Sequence, residues 1–164
     1  MGDTAAHFVA RFGAVYEHSP WVAEEAADVL GGVIDMERVA AVMADCVDNA
    51  SRERQLELIR AHPDLAGKAH VAGELTEDST SEQSSAGLDR CSVEEFARFQ
   101  SLNIAYHDKF GFPFVMAVRD RSRQEILAAF EERLGNDAET EFETALVEIH
   151  KIARLRLAAL EAGR

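Results

Sequence analysis

Cysteine occurs only twice, at Cys46 and Cys91, and neither stands in a CxxC motif or a Cys/His cluster of zinc spacing. A disulfide framework and a zinc site are therefore excluded as organising features, and a reducing compartment is expected. Positive charge is scarce: 17 Lys and Arg stand against 30 Asp and Glu, a formal net charge of −13 with a pI near 4.8. Nonspecific binding to nucleic acid or to an anionic membrane needs clustered cations to displace counterions, so both partners are excluded. No apolar run approaches the roughly 20 residues that span a bilayer, and Met1–Phe12 has no apolar stretch with a small-residue cleavage site. A cytoplasmic protein without membrane association is expected. Phosphate loops, nucleophile elbows, HExxH and EF-hand motifs are missing, as is any three- or four-ligand metal spacing, so no metal is expected.

What is present is helical periodicity. With 47% hydrophobic residues in 164, the chain has material for one buried core, and one domain over residues 1–164 is expected. Phe8, Phe12, Val15 and Tyr16 share a face of a helix over residues 4–17, and Ser19-Pro20 opens a second that Gly31-Gly32 breaks. Asp35 caps a third, carrying Val39, Val42, Met43, Cys46 and Val47, and a fourth runs over 51–61 with Leu56 and Ile59 inward, ending at Pro63. Residues 63–91 are rich in Gly, Ser, Thr and Glu and lack periodicity beyond a helical turn near 80–86; long irregular segments inside a domain are often functional. Capping boxes at Ser92-x-x-Glu95 and Ser122-x-x-Glu125 open two more helices, separated by an apolar, buried and extended stretch over 112–118. A last helix over 137–162 carries Phe142, Leu146, Ile149, Ala153 and Leu160. No alternating strand pattern or internal repeat occurs, and the fold class is all-α, a single-domain helical bundle.

Three places suggest chemistry, and each has a plain structural alternative. His62 directly precedes Pro63, where a helix ends, which presents a ring that titrates near neutral pH; a surface histidine at the negative end of a helix is the alternative. Ser79, Glu82 and Gln83 put a hydroxyl, a carboxylate and an amide within about one helical turn, and Ser79-x-x-Glu82 also fits a capping box. Arg156 follows Ile149 by seven residues, about 20° around the helix, and so falls inside the apolar stripe, while Arg154 points away. A charge there must find a partner or open onto a cavity. The three phenylalanines around Gly111 and Pro113 could wall a pocket or simply pack.

Taken in order, His62-Pro-Asp-Leu-Ala-Gly67, Ser79-x-x-Glu-Gln83 with Ala86-Gly-Leu88, Lys109-Phe-Gly-Phe-Pro-Phe114, and Glu148-Ile-His-Lys-Ile152 with Arg156-Leu157 resemble the 2-oxo-4-hydroxy-4-carboxy-5-ureidoimidazoline (OHCU) decarboxylases of urate catabolism. The resemblance runs from Phe8 to Leu160. It implies an all-helical homodimer that converts OHCU to (S)-allantoin with no cofactor. It implies His62 as the catalytic histidine with Glu82 as its acidic partner, and Ser79, Gln83 and Arg156 as polar substrate-binding residues. Pro63 and the backbone of Phe114, Val115 and Met116 complete the implied substrate contacts. Glu161-Ala-Gly-Arg164 lacks the Ser-Lys-Leu peroxisomal signal of some relatives. Two other readings use the same residues: a non-catalytic helical module that binds a ureide or a protein partner, and a hydrolase in which His62 and Glu82 activate water.

Overall fold

Side-chain caps set where most of the helices begin. In a computed structural model, which describes residues 2–32, 34–67 and 75–163, the α-helices are α1 (Gly2–Phe12), α2 (Trp21–Leu30), α3 (Met36–Asp48), α4 (Arg52–Arg60), α5 (Glu77–Ser85), α6 (Val93–Phe110), α7 (Arg123–Leu134) and α8 (Ala138–Ala162). Asp35 caps α3 and Ser51 caps α4 by accepting from Glu37 N and Arg54 N. Ser92 and Ser122 form complete capping boxes with Glu95 and Glu125 at the starts of α6 and α7. Gly111 ends α6 with φ near 79°, the left-handed geometry that a side chain would strain. Among the described residues there is no strand, and no helix is long and apolar enough to cross a membrane.

The chain divides into two compact units, one from Met1–Ala61 with Ile149–Arg164 and the other His62–Glu148. In the first, α2 packs on α1 and α3, and Phe12, Val22, Val39, Met43, Val47, Leu58, Ile59 and Ile149 are buried. In the second, α6 packs on α7. Tyr106 meets the rings of Phe110, Phe112, Phe114 and Phe130, while Phe114 and Phe130 stack at 3.9 Å and 9°. The stretch over 112–118 carries neither helix nor strand, and five of its seven residues are buried.

Several boundaries differ from expectation, each for a local reason. α1 stops at Phe12 rather than near residue 17, although Phe8, Phe12, Val15 and Tyr16 are all buried as their spacing requires. The carbonyls of Ala14 and Val15 accept from the Arg156 guanidinium instead of continuing a helix. Ser19 does not cap α2; its hydroxyl donates to the Glu17 carbonyl, and Pro20 occupies the cap position without a side-chain bond. The expected helical turn near 80–86 is a full helix, α5, that begins earlier at Glu77. Thr76 is its cap, so Ser79-x-x-Glu82 is not a capping box. On α4 it is Leu58 with Ile59, rather than Leu56, that is fully buried, and Leu160 of the last stripe is 36% exposed. Part of the irregular segment, residues 68–74 with His70, lies outside the described residues.

Candidate active site

The sequence of α5, Glu-Asp-Ser-Thr-Ser-Glu-Gln-Ser-Ser, contains no apolar residue, yet three of its side chains are buried: Ser79, Glu82 and Gln83. They stand at i, i+3 and i+4, so a single stripe of this helix faces inward and every group on it is polar. Helices normally bury their apolar stripe, and burying a hydroxyl, a carboxylate and an amide without compensation costs several kcal/mol. A stripe of this composition is what a polar ligand site requires.

His62, which is 8% exposed, opens the loop that follows α4, and side chains from α5 and α6 hold that loop. Gln83 engages it with both ends of its amide: Oε1 accepts from Ala66 N at 3.0 Å and Nε2 donates to the Asp64 carbonyl at 3.1 Å. Asn103 Nδ2 donates to the Leu65 carbonyl at 3.0 Å and Gln100 Nε2 to the Ala66 carbonyl at 2.8 Å. His107 Nε2 lies 2.8 Å from Asp64 Oδ1. Ala66 takes φ of 51°, a left-handed conformation that an alanine adopts at a cost of about 1–2 kcal/mol. The bonds from Gln83 and Gln100 to its N–H and carbonyl over-determine that geometry. A loop that would otherwise be free to sample many conformations is thereby fixed, and His62 with it.

The structure thus brings His62, Pro63, Ser79, Glu82, Gln83, Phe114, Val115 and Met116 into the His62–Glu148 unit. Pro63 and Met116 are half-buried and the others buried. Arg156 belongs to the other unit. The helical-face argument for it holds: Arg156 is 4% exposed and Arg154 is exposed. Of the outcomes open to a charge on that stripe, an internal ion pair is realised, with Arg156 Nη1 3.1 Å from Glu17 Oε1 and both side chains almost fully buried. Among the described residues no group of three or more His, Cys, Asp or Glu side chains could hold a metal ion. Cys46 and Cys91 are free thiols, and partial burial pushes the pKa of each up.

Sequence reasoning missed the supports of this site. Asn103 had a legible signal, since it lies between Phe99 and Tyr106 on the buried face of α6, where a polar residue needs a partner. Gln100, His107 and Glu17 had none, because their partners are distant in sequence. A second cluster was also missed. Glu141, fully buried, accepts from Tyr106 Oη at 2.6 Å, Arg133 Nε at 2.9 Å and Asn136 Nδ2 at 2.9 Å. Arg133 Nη1 donates onward to the Val115 carbonyl at 2.6 Å, and its guanidinium lies 4.3 Å from the centre of the Phe114 ring. Burial, followed by the bond to the Glu141 carboxylate, pushes the Tyr106 hydroxyl well above the usual tyrosine range.

Comparison with known proteins gives the family and the fold. The family model described as OHCU decarboxylase matches residues 3–158. The chain is 48% identical over 151 residues to a 2-oxo-4-hydroxy-4-carboxy-5-ureidoimidazoline decarboxylase of Haloferax volcanii, covering 92% of this chain and 87% of that one. A crystal structure of OHCU decarboxylase in the presence of (S)-allantoin superposes with a TM-score of 0.72 at 28% identity, over 89% of this chain and 94% of that one. A crystal structure of (S)-allantoin synthase gives a TM-score of 0.74 at 35% identity over 95% of this chain, which spans only 50% of that longer one.

Proposed function

The chain belongs to the OHCU decarboxylase family, and from that membership we propose that it decarboxylates 2-oxo-4-hydroxy-4-carboxy-5-ureidoimidazoline to (S)-allantoin in urate degradation. The observation that carries the reading into the structure is the buried polar stripe of α5, tied through Gln83 to the loop that presents His62.

In the reaction the bond between the ring carbon and its carboxylate breaks, and carbon dioxide leaves. The electron pair left behind enters the adjacent imine-like system of the imidazoline, and a proton is then delivered to one face. The substrate ring is its own electron sink, so the pocket has to hold the ring, stabilise developing charge and control that proton. His62, with Glu82 as its acidic partner, takes the proton-transfer role beside the departing carboxylate. Ser79 and Arg156 hold polar edges of the ring and the ureido group, Pro63 packs against the ring, and the backbone of Phe114, Val115 and Met116 supplies further contacts. Gln83 has two duties in this reading, a substrate contact and the loop clamp described above. A homodimer in a cytoplasmic, reducing setting completes the proposal, and light scattering of the purified protein tests the dimer.

The decisive experiment generates OHCU in place from urate with the upstream enzymes and follows circular dichroism. Spontaneous decay gives racemic allantoin, so a net optical signal requires a chiral pocket. Wild type is expected to speed decay of the intermediate and yield the S enantiomer. His62→Asn is expected to fold normally and to return both observations to the uncatalysed course, since an amide occupies the space but does not exchange a proton near neutral pH. Near-wild-type rate and stereoselectivity in that variant would remove His62 from the chemistry.

A further inference from the structure

The stretch over 112–118 carries neither helix nor strand, so no ladder of backbone bonds fixes the direction of its peptide groups. Two part-buried side-chain contacts do that instead. Arg133 Nη1 donates to the Val115 carbonyl at 2.6 Å, and Ala117 N donates to Glu148 Oε1 at 3.0 Å. The peptide group between them joins Val115 to Met116. Among the described residues no peptide is cis, and in a planar trans peptide the carbonyl of one residue and the N–H of the next point in opposite directions. Holding the Val115 oxygen therefore aims the Met116 N–H to the other side.

Arg133 is in turn held on several sides. Its Nε bonds the fully buried Glu141 carboxylate, which Tyr106 and Asn136 also bind, and its plane lies over Phe114, itself stacked on Phe130. Only a rigid planar fork can serve a carboxylate, a carbonyl and a ring face together. We propose that Arg133 is a positioning residue for the reaction. Through the Val115 carbonyl it sets the Val115–Met116 peptide plane and presents the Met116 N–H to the substrate, with Glu141 fixing Arg133 in its place. The proposal rests on the assignment of the 114–116 backbone to substrate contact.

Arg133→Met removes the bonds but leaves Glu141 as a buried charge and risks the fold. Arg133→Lys keeps the charge beside Glu141 while losing the fork, and is the main test. Arg98→Met, which breaks the exposed pair of Arg98 with Glu131, is the control. The readouts are kcat and KM on OHCU formed in place, the enantiomeric excess of the allantoin, and the affinity for (S)-allantoin by calorimetry. Arg133→Lys is expected to melt as one cooperative unit, to raise KM about 10-fold, to weaken (S)-allantoin binding similarly and to lower the enantiomeric excess. The pH dependence of kcat should keep its shape, because His62 and Glu82 are untouched. Arg98→Met should match wild type.

A purely structural role lowers the active fraction, and so kcat alone. Unchanged KM and (S)-allantoin affinity in Arg133→Lys, with wild type active, would overturn the proposal while leaving the decarboxylase assignment standing. A wild-type protein that neither turns over OHCU nor binds (S)-allantoin would remove both.

Discussion

Each compact unit contains a buried arginine–glutamate pair, and the two pairs are built differently. Arg156 places Nη1 on Glu17 Oε1 and on the carbonyls of Ala14 and Val15, at 3.1–3.4 Å. Arg133 splits its contacts, Nε to Glu141 and Nη1 to the Val115 carbonyl, at 2.9 and 2.6 Å, and adds the face of Phe114. Both arginines tie down a non-helical segment, which is a recurrent use of a planar, permanently charged side chain. The difference lies in where the carboxylates stand: Glu17 belongs to the same segment as Ala14 and Val15, whereas Glu141, which accepts from Tyr106 of α6, Arg133 of α7 and Asn136 just before α8, stands far in sequence from Val115. Through these bonds Glu141 links elements that are remote in sequence.

The sharpest break of this comparison, and the largest effect expected, is Glu141→Ala. It leaves the Arg133 charge buried without its carboxylate and strips Tyr106 and Asn136 of their acceptor, so a loss of about 3–5 kcal/mol in unfolding free energy is expected. Urea unfolding followed by circular dichroism measures it. The double change Arg133→Met with Glu141→Leu should recover the part of that loss due to the unpaired charge, while Tyr106 and Asn136 still lack their acceptor. A Glu141→Ala variant within about 1 kcal/mol of wild type would show that the network is not a structural keystone.

The second break separates the two arginines of the last helix. Arg156→Ala is expected to lower kcat/KM by about 100-fold, since it leaves a polar edge of the substrate unpaired, and to lower stability as well, since buried Glu17 loses its cation, whereas Arg154→Ala changes little in either. Steady-state rates on OHCU, with melting curves to confirm folding, decide it. Equal losses in both variants would contradict the assignment of substrate binding to the buried arginine.

How legible these features were depended on sequence distance. Helix starts were partly readable because capping is local: Asp35, Ser92 and Ser122 cap as their spacing requires, whereas Ser19 and Ser79, equally good caps by residue type, do not. Arg156 was readable because a charge on an apolar stripe stands out within one helix. The α1 end was misjudged because Ala14 and Val15 are held by Arg156, more than 140 residues away. Arg133 was missed because it ends α7 looking like an ordinary cation in a last helical turn, a place where cations are favoured anyway. In α5 the burial of a wholly polar stripe was hidden, since periodicity detects apolar faces and this helix has none. The motif order supplied what periodicity did not.

The smallest effect expected sharpens the comparison from the alkaline side. The protein has two tyrosines, one in each unit: Tyr106 bonds Glu141, and Tyr16 Oη lies 2.8 Å from His150 Nδ1. Both hydroxyls are pushed well above the usual tyrosine range, chiefly because burial disfavours the anion, helped at Tyr106 by Glu141 and at Tyr16 by Asp48. A group whose pKa is raised on folding contributes stability that is fully present below its unfolded pKa. That stability is lost as pH rises from the unfolded value toward the folded one. Above about pH 10 each tyrosine should therefore remove about 1.4 kcal/mol for each further pH unit, on top of the loss that the raised Cys46 and Cys91 thiols begin at lower pH. Tyrosinate absorbance near 295 nm should rise in step with unfolding by far-ultraviolet circular dichroism, not before it. Tyr106→Phe should remove one tyrosine's share of the slope above about pH 10 while lowering stability near neutral pH, where Glu141 loses one of its donors. Tyr16→Phe should remove an equal share without touching Glu141. A native protein whose two tyrosines ionise near pH 10 with its helices intact would show that neither hydroxyl is held as described.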